Sequence, residues 1–138
     1  MSELSIRVGS IADFELMSRY EHHITPEILK HCLSEGRILI GEVNGKFVGW
    51  LRWNRFWDIV PFMNMLHFEK DERGKGYGTA MVEYWENMLK AQGCIKVMTS
   101  SQQDEFAQHF YVKLGYRAIG GFMLTGDPLE IIFEKQFN

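Results

Sequence analysis

Residues 72–85 read ERGKGYGTAMVEYW, in which Gly74, Gly76 and Gly78 alternate with Lys75 and Tyr77 and then run directly into strong helix formers. Glycine loses more backbone freedom on folding than any other residue. Three in alternation therefore imply a fold that needs bare backbone at this place. An apolar run, FMNMLHF over Phe62–Phe68, precedes the glycines and reads as a strand. Met81, Val82, Trp85, Met88 and Leu89 follow at helical spacing, and Gly93 closes that helix. The loop thus feeds a strand into a helix N-terminus. The first N–H groups there have no intrahelical partners and the helix dipole is positive, a combination that binds anions. Arg73 and Lys75 add positive charge and Thr79 adds a hydroxyl donor. A tight turn needing only positive φ accounts for one glycine equally well. Three, flanked by two cations, favour a ligand that carries phosphates.

The common phosphate-loop patterns do not fit. GxxxxGK[ST] is absent. Counting GxGxxG from Gly74 puts Thr79 at the third glycine, and counting from Gly76 puts Met81 there. A Rossmann or P-loop reading is therefore poor.

The remainder of the chain supplies alternating elements. Leu4–Val8 reads as a strand, and Ser10 as the cap of a helix with Phe14, Met17 and Tyr20 on its apolar face. Thr25-Pro26 is a strong helix start, with Ile28, Leu29, Cys32 and Leu33 as the buried face and Gly36 as the stop. RILIGEVNGKFVGWLRW reads as two strands about Asn44-Gly45, a type I′ hairpin signal. A broken stretch from Asn54 to Pro61 separates this hairpin from the Phe62–Phe68 strand. Ile95–Ser100 is a strand, Phe106, Ala107, Phe110 and Leu114 mark a helix stopped by Gly115, and Tyr116–Leu124 and Glu130–Phe137 are two final strands. The order β-α-α-β-β-β-α-β-α-β-β predicts an α/β (α+β) fold: a mixed sheet of about seven strands with about four helices packed on it. With 138 residues, 46% of them hydrophobic, the chain is expected to form a single domain over 1–138.

Composition excludes several classes. A net charge of -3 gives no basic footprint for nucleic acid. Glu3, Arg7, Asp13, Glu15 and Arg19 interrupt the first thirty residues, so no apolar signal segment is evident, and no run reaches the length of a membrane span. Cys32 and Cys94 form no CxxC and read as free thiols of a reducing, cytoplasmic compartment. His22 and His23 are adjacent, with no partner at helical spacing, so no metal site is expected.

Arg73-Gly74-Lys75-Gly76-Tyr77-Gly78 fills the pattern [RQ]-x-x-G-x-[GA], and with it the chain resembles the GNAT superfamily of N-acetyltransferases. Leu66-His67-Phe68-Glu69 resembles that family's strand leading into the loop. FAQHFYVKLGYRAIGGF resembles its second conserved helix and strand, with Ala107, Phe110, Tyr111, Leu114, Gly115 and Tyr116 in register. The likeness covers nearly the whole chain. It implies acetyl-CoA as co-substrate, bound where the strands Phe62–Phe68 and Ile95–Ser100 part. The pyrophosphate would sit on backbone N–H groups of Arg73, Gly74, Lys75, Gly76, Tyr77 and Gly78, assisted by Thr79. The pantetheine arm would pair with the backbone of Leu66 and Phe68, and His67, Ser101 and Asp104 would lie near the cofactor. The partner would be an amine of a small molecule or peptide, with no nucleic acid or membrane involved and a homodimer as a candidate assembly.

Tyr111 matches the family tyrosine that protonates the departing thiolate, although an aromatic filling a helix–sheet gap would occupy the same place. Asp104 stands where many members carry Asn. Phe62, Met63, Asn64 and Met65 lack the carboxylate that often serves as base. His67 is the candidate base by its pKa range, with ordered water as the alternative and a plain core histidine as the bland reading. Trp53, Arg55, Trp57 and Asp58 fall where the family builds the acceptor pocket, and a packed loop with solvated charges explains them too. A non-catalytic acyl-CoA-binding or sensor module is the alternative to an active enzyme.

Overall fold

The computed structural model describes residues 3–103 and 105–138. In chain order the elements are β1 (Leu4–Val8), α1 (Phe14–Ser18), α2 (Pro26–Ser34), β2 (Ile38–Val43), β3 (Lys46–Phe56), β4 (Val60–Phe68), α3 (Tyr77–Ala91), β5 (Lys96–Gln102), α4 (Ala107–Lys113), β6 (Arg117–Phe122) and β7 (Glu130–Gln136). Short 3₁₀ turns stand at Ile11–Asp13 and Lys70–Glu72. The strands form one seven-stranded mixed sheet in the order β1-β2-β3-β4-β5-β7-β6. The α/β architecture and the element order agree with the sequence reading. The chain divides into two compact units: Met1–Trp53 with Met65–Trp85, and Asn54–Asn64 with Glu86–Asn138.

In the first unit, β1 and β3 pair antiparallel on either side of β2. Thr25 Oγ1 accepts the Ile28 N–H at 3.3 Å and Pro26 opens α2, so the predicted cap forms. The α2 face Leu29, Cys32 and Leu33 packs with Met17, Ile38, Ile40, Phe47 and Trp50 into a core cluster. Asn44 (φ 53°) and Gly45 (φ 76°) make the β2–β3 turn, both in the left-handed region that a type I′ turn requires. Gly49 has a different reason. A Cβ there would lie 2.5 Å from the His67 carbonyl oxygen and would also strike the Phe68 ring. Glycine at 49 therefore lets β3 lie close against the end of β4, the stretch that leads into the glycine loop.

The second unit corrects one expectation. Asn54–Pro61 is not a broken stretch: β3 continues through Asn54, Arg55 and Phe56, and β4 begins at Val60. The reversal is a tight turn in which Ile59 N–H donates to Phe56 O at 3.1 Å, with Trp57 at φ 56° and Asp58 at φ 61°. Asp tolerates the left-handed region, but at Trp57 it costs roughly 1–2 kcal/mol, so Trp-Asp carries no hairpin signal. Stacking of Phe56 on Phe62, with centroids 6.2 Å apart, helps to hold the turn closed. β5 runs parallel to β4 and antiparallel to β7, and β6 pairs with β7 at the sheet edge.

Candidate functional site

The glycine loop of the first unit begins where β4 ends. Phe68 is buried against Tyr77, ring centroids 5.9 Å apart, and the Arg73 Nε–H donates to the Phe68 carbonyl at 2.8 Å, tying the loop back onto its strand. Gly74 (φ 76°) and Gly76 (φ 83°) take left-handed backbone, and an added Cβ at either would meet nothing within 4 Å. The conformation favours glycine at both positions, and the space beside each is open. Gly78 lies in the first turn of α3. The Ala80 N–H bonds back to Gly76 O at 3.1 Å, which leaves the N–H groups of Tyr77, Gly78 and Thr79 ahead of the helix ladder as open donors. Lys75 Nζ reaches Glu72 at 3.1 Å from an exposed position.

Leu66 and His67 are half-buried on β4. The His67 ring lies 5.0 Å from that of Trp50. Burial first, and then the Arg73 charge, push the His67 pKa down, so its neutral form is favoured. His23 also opposes its charge, while Glu69 and Glu21 support it.

The same unit contains a polar cluster that the sequence did not reveal. Glu21 follows α1 with its side chain fully buried. Its Oε2 accepts the Trp50 indole N–H at 3.0 Å and the Arg52 Nε–H at 2.9 Å. Its Oε1 accepts the His23 backbone N–H at 3.1 Å and faces His23 Nδ1 at 3.0 Å. Burial alone would raise the Glu21 pKa, but Arg52, Trp50 and the His23 N–H together hold it below the usual carboxylate value. Trp50 and Arg52 stand 29 and 31 residues away from Glu21, so no local spacing signals the cluster.

In the second unit the β4–β5 ladder joins Phe62 to Met98 and Met63 to Thr99. Both strands continue past these pairs, β4 to Phe68 and β5 to Gln102. Thr99 Oγ1 donates to Met63 O at 2.9 Å. Tyr111, on α4, is 7% exposed and packs against Tyr116 and Phe133. Burial raises its pKa, Thr99 opposes the shift and Glu105 adds to it, so the phenol keeps its proton at neutral pH. Ser101 is buried on β5 and its hydroxyl donates to Gln102 O at 3.2 Å. Asp104 lies outside the described residues.

The four acceptor candidates separate. Trp53 lies in the core of the first unit, 4% exposed and 6.2 Å from the Trp85 ring, so packing decides its place. Arg55, Trp57 and Asp58 belong to the β3–β4 turn of the second unit. Arg55 reaches Ile59 O at 3.4 Å, and Trp57 stands 78% exposed at the tip. Both cysteines are free. Among the described residues no group of three or more His, Cys, Asp or Glu is placed to hold a metal ion, and no helix is long and apolar enough to cross a membrane.

Comparison with solved structures gives the same fold throughout. A GNAT-family acetyltransferase from Bacillus cereus ATCC 10987 superimposes with a TM-score of 0.79 at 22% identity, covering 99% of each chain. The PaiA N-acetyltransferase of Thermoplasma acidophilum, solved with coenzyme A, gives 0.70 at 16% identity over 98% of this chain and 99% of that one. The ribosomal-protein-S18-alanine N-acetyltransferase of Escherichia coli gives 0.80 at 16% identity over 99% and 95%. No curated protein matches the sequence. The sequence itself matches the acetyltransferase (GNAT) family over residues 8–116, a span that runs from the end of β1 through the glycine loop and α4, and the chain belongs to that family.

Proposed function

We propose that this acetyltransferase takes its acetyl group from acetyl-CoA and passes it to a primary amine of a small molecule or peptide. The observation that carries the reading is the loop after β4. Gly74 and Gly76 are held in left-handed backbone with open space beside them, ahead of the free N–H groups of Tyr77, Gly78 and Thr79. That arrangement suits a pyrophosphate. The bound coenzyme A of the Thermoplasma acidophilum neighbour supports the same choice of ligand. Arg73 and Lys75 add charge there. The β4 backbone at Leu66–Phe68 is proposed to hold the pantetheine arm and to polarise the thioester carbonyl, as in an oxyanion hole. Ser101 is retained as a cofactor-side residue of the second unit.

The chemistry requires a neutral amine, attack on the thioester carbon, cleavage of the C–S bond and a proton for the thiolate. Tyr111 is the proposed proton donor. A coenzyme thiol has a pKa of about 8.5 against about 10 for an ordinary phenol, and burial raises Tyr111 further. Transfer therefore occurs only as thiolate charge develops beside the phenol. The nitrogen, which carries an extra proton after attack, returns one to Tyr111. Arg55, Trp57 and Asp58, exposed at the β3–β4 turn, are the proposed acceptor contacts.

The test is an amine panel of amino acids, polyamines and short peptides offered with acetyl-CoA, reading thiol release and acetyl addition by mass. Stoichiometric acetylation of one class of amine is expected. Binding of acetyl-CoA with no transfer to any amine would replace this reading with an acyl-CoA-binding module, an alternative that the lack of a carboxylate over Phe62–Met65 leaves standing.

A further inference from the structure

His67 and His23 are each candidates to take the proton from an incoming ammonium, and their surroundings differ. His67 is half-buried, and both desolvation and Arg73 act against its cation. The His23 side chain is 64% exposed, and its Nδ1 lies 3.0 Å from the Glu21 carboxylate, whose own side chain is 0% exposed. We propose that His23, oriented by Glu21, is the general base that deprotonates the acceptor amine; this rests on the N-acetyltransfer reading above.

Four contacts saturate the Glu21 carboxylate: Trp50 Nε1, Arg52 Nε, the His23 backbone N–H and His23 Nδ1. Arg52 is itself only 12% exposed, so the anion is fixed from the buried side by a fixed cation. A carboxylate that is ionised and immobile at Nδ1 sets the Nδ1–H tautomer and leaves the Nε2 lone pair free to accept a proton. Protonation then creates an imidazolium in direct contact with an anion, whereas protonation of His67 creates one beside Arg73. A buried ion pair is poor evidence for stability alone. One that ends on an open imidazole has a chemical use.

The step balances. R–NH₃⁺ gives one proton to His23 Nε2 and becomes R–NH₂. The nitrogen bonds to the acyl carbon as the C–S bond breaks, the thiolate takes the Tyr111 proton, the nitrogen returns its surplus proton to Tyr111, and His23 later releases its proton to water. The charged and titratable groups facing this step are Glu21 on its own segment, Arg52 of β3 and His67 of β4, with Arg73 and Glu69 acting on His67. Trp50 links the dyad to β4: its indole N–H meets Glu21 at 3.0 Å, and its ring lies 5.0 Å from that of His67 on the segment that leads into the glycine loop.

Two measurements test this. In the free protein, ¹⁵N imidazole NMR should find His23 in the Nδ1–H tautomer and His22 as a mixture, and Glu21→Gln should abolish the difference. With an amine identified by the panel, His23→Gln should lower kcat/KM by about 10²–10⁴-fold. It should also remove the acid limb of the pH profile while leaving coenzyme A affinity and the His22→Gln control at parental values. His23 tautomers matching those of His22, or a parental pH–rate profile in His23→Gln, would overturn the proposal alone. A wild-type enzyme inert to every amine while binding acetyl-CoA would overturn the transfer reading and this proposal with it.

Discussion

Among the described residues each unit buries one glutamate, and the two carboxylates differ in the partner that completes their shell. Glu86, in the second unit, accepts the Tyr116 O–H at 2.8 Å and the Lys135 Nζ–H at 2.8 Å. Tyr116 is 2% exposed, and burial together with the adjacent Glu86 drives its pKa far up. The phenol keeps its proton and serves only as a donor, and the Lys135 side chain is three-quarters covered. Glu21, in the first unit, is equally buried, but one of its partners is an imidazole that reaches solvent. A buried charge must be paired wherever it occurs. Whether it can also do chemistry depends on whether one of its partners can change protonation state and meet a ligand. By that criterion Glu86 organises packing and Glu21 organises a reactive group.

Tyr111 gives this contrast its hardest test, because it belongs to the same aromatic group as Tyr116, 5.8 Å away, yet is assigned a proton-transfer role. Tyr111→Phe keeps the ring and its packing. Its kcat should fall by about 10²–10⁴-fold with normal acetyl-CoA binding, and the loss should shrink with a donor whose thiol is more acidic. Parental kcat would make the whole group structural.

Glu86→Ala should act on stability alone. It leaves Lys135 and the buried Tyr116 hydroxyl without their partner, at a cost of about 3 kcal/mol, or a Tm lower by about 6–12 °C. The pH profile of turnover should keep its shape. A changed profile with unchanged Tm would reverse the roles assigned to the two glutamates.

Glu21 should reveal itself through pH. Its folded pKa lies below the unfolded value of about 4.3, so the unfolded chain binds the proton more tightly. The resulting stability is complete above that value and is lost as pH falls through the folded pKa. Urea midpoints measured from pH 6 down to pH 3 should therefore fall more steeply for the wild type than for Glu21→Gln. Parallel curves would show that Glu21 titrates as it does in the unfolded chain.

The smallest effect belongs to the turn. Trp57→Ala should raise the acceptor KM by on the order of fivefold, about 1 kcal/mol, with coenzyme A affinity unchanged. An unchanged KM would leave the exposed indole without a part in acceptor binding.

What the sequence made legible and what it hid divide along physical lines. Asn44-Gly45, Thr25-Pro26 and the Gly74–Gly78 run are local signals, because backbone conformation at those residues needs particular chemistry; the hairpin turn and the α2 cap formed where expected, and Gly74 and Gly76, though not Gly78, take left-handed backbone. The Trp57-Asp58 turn was hidden because Trp57 does not favour positive φ; strand pairing on both sides imposes it. Gly49 reads as an ordinary strand residue until β4 is laid beside it. The Glu21 cluster was hidden because its partners come from another strand, and His23 gains its orientation from a carboxylate whose own fixation lies some 30 residues on.

The central claim is that the loop after β4 holds the pyrophosphate of coenzyme A. Isothermal titration of the wild-type protein with coenzyme A, NAD and ATP in parallel tests it most directly, since it needs neither an acceptor nor a variant that folds. Coenzyme A should bind one per chain and raise the Tm, by about 2.7 kcal/mol of stabilisation at one hundred times its Kd, while NAD and ATP bind far more weakly. Equal affinity for all three, or no binding of coenzyme A, would contradict it.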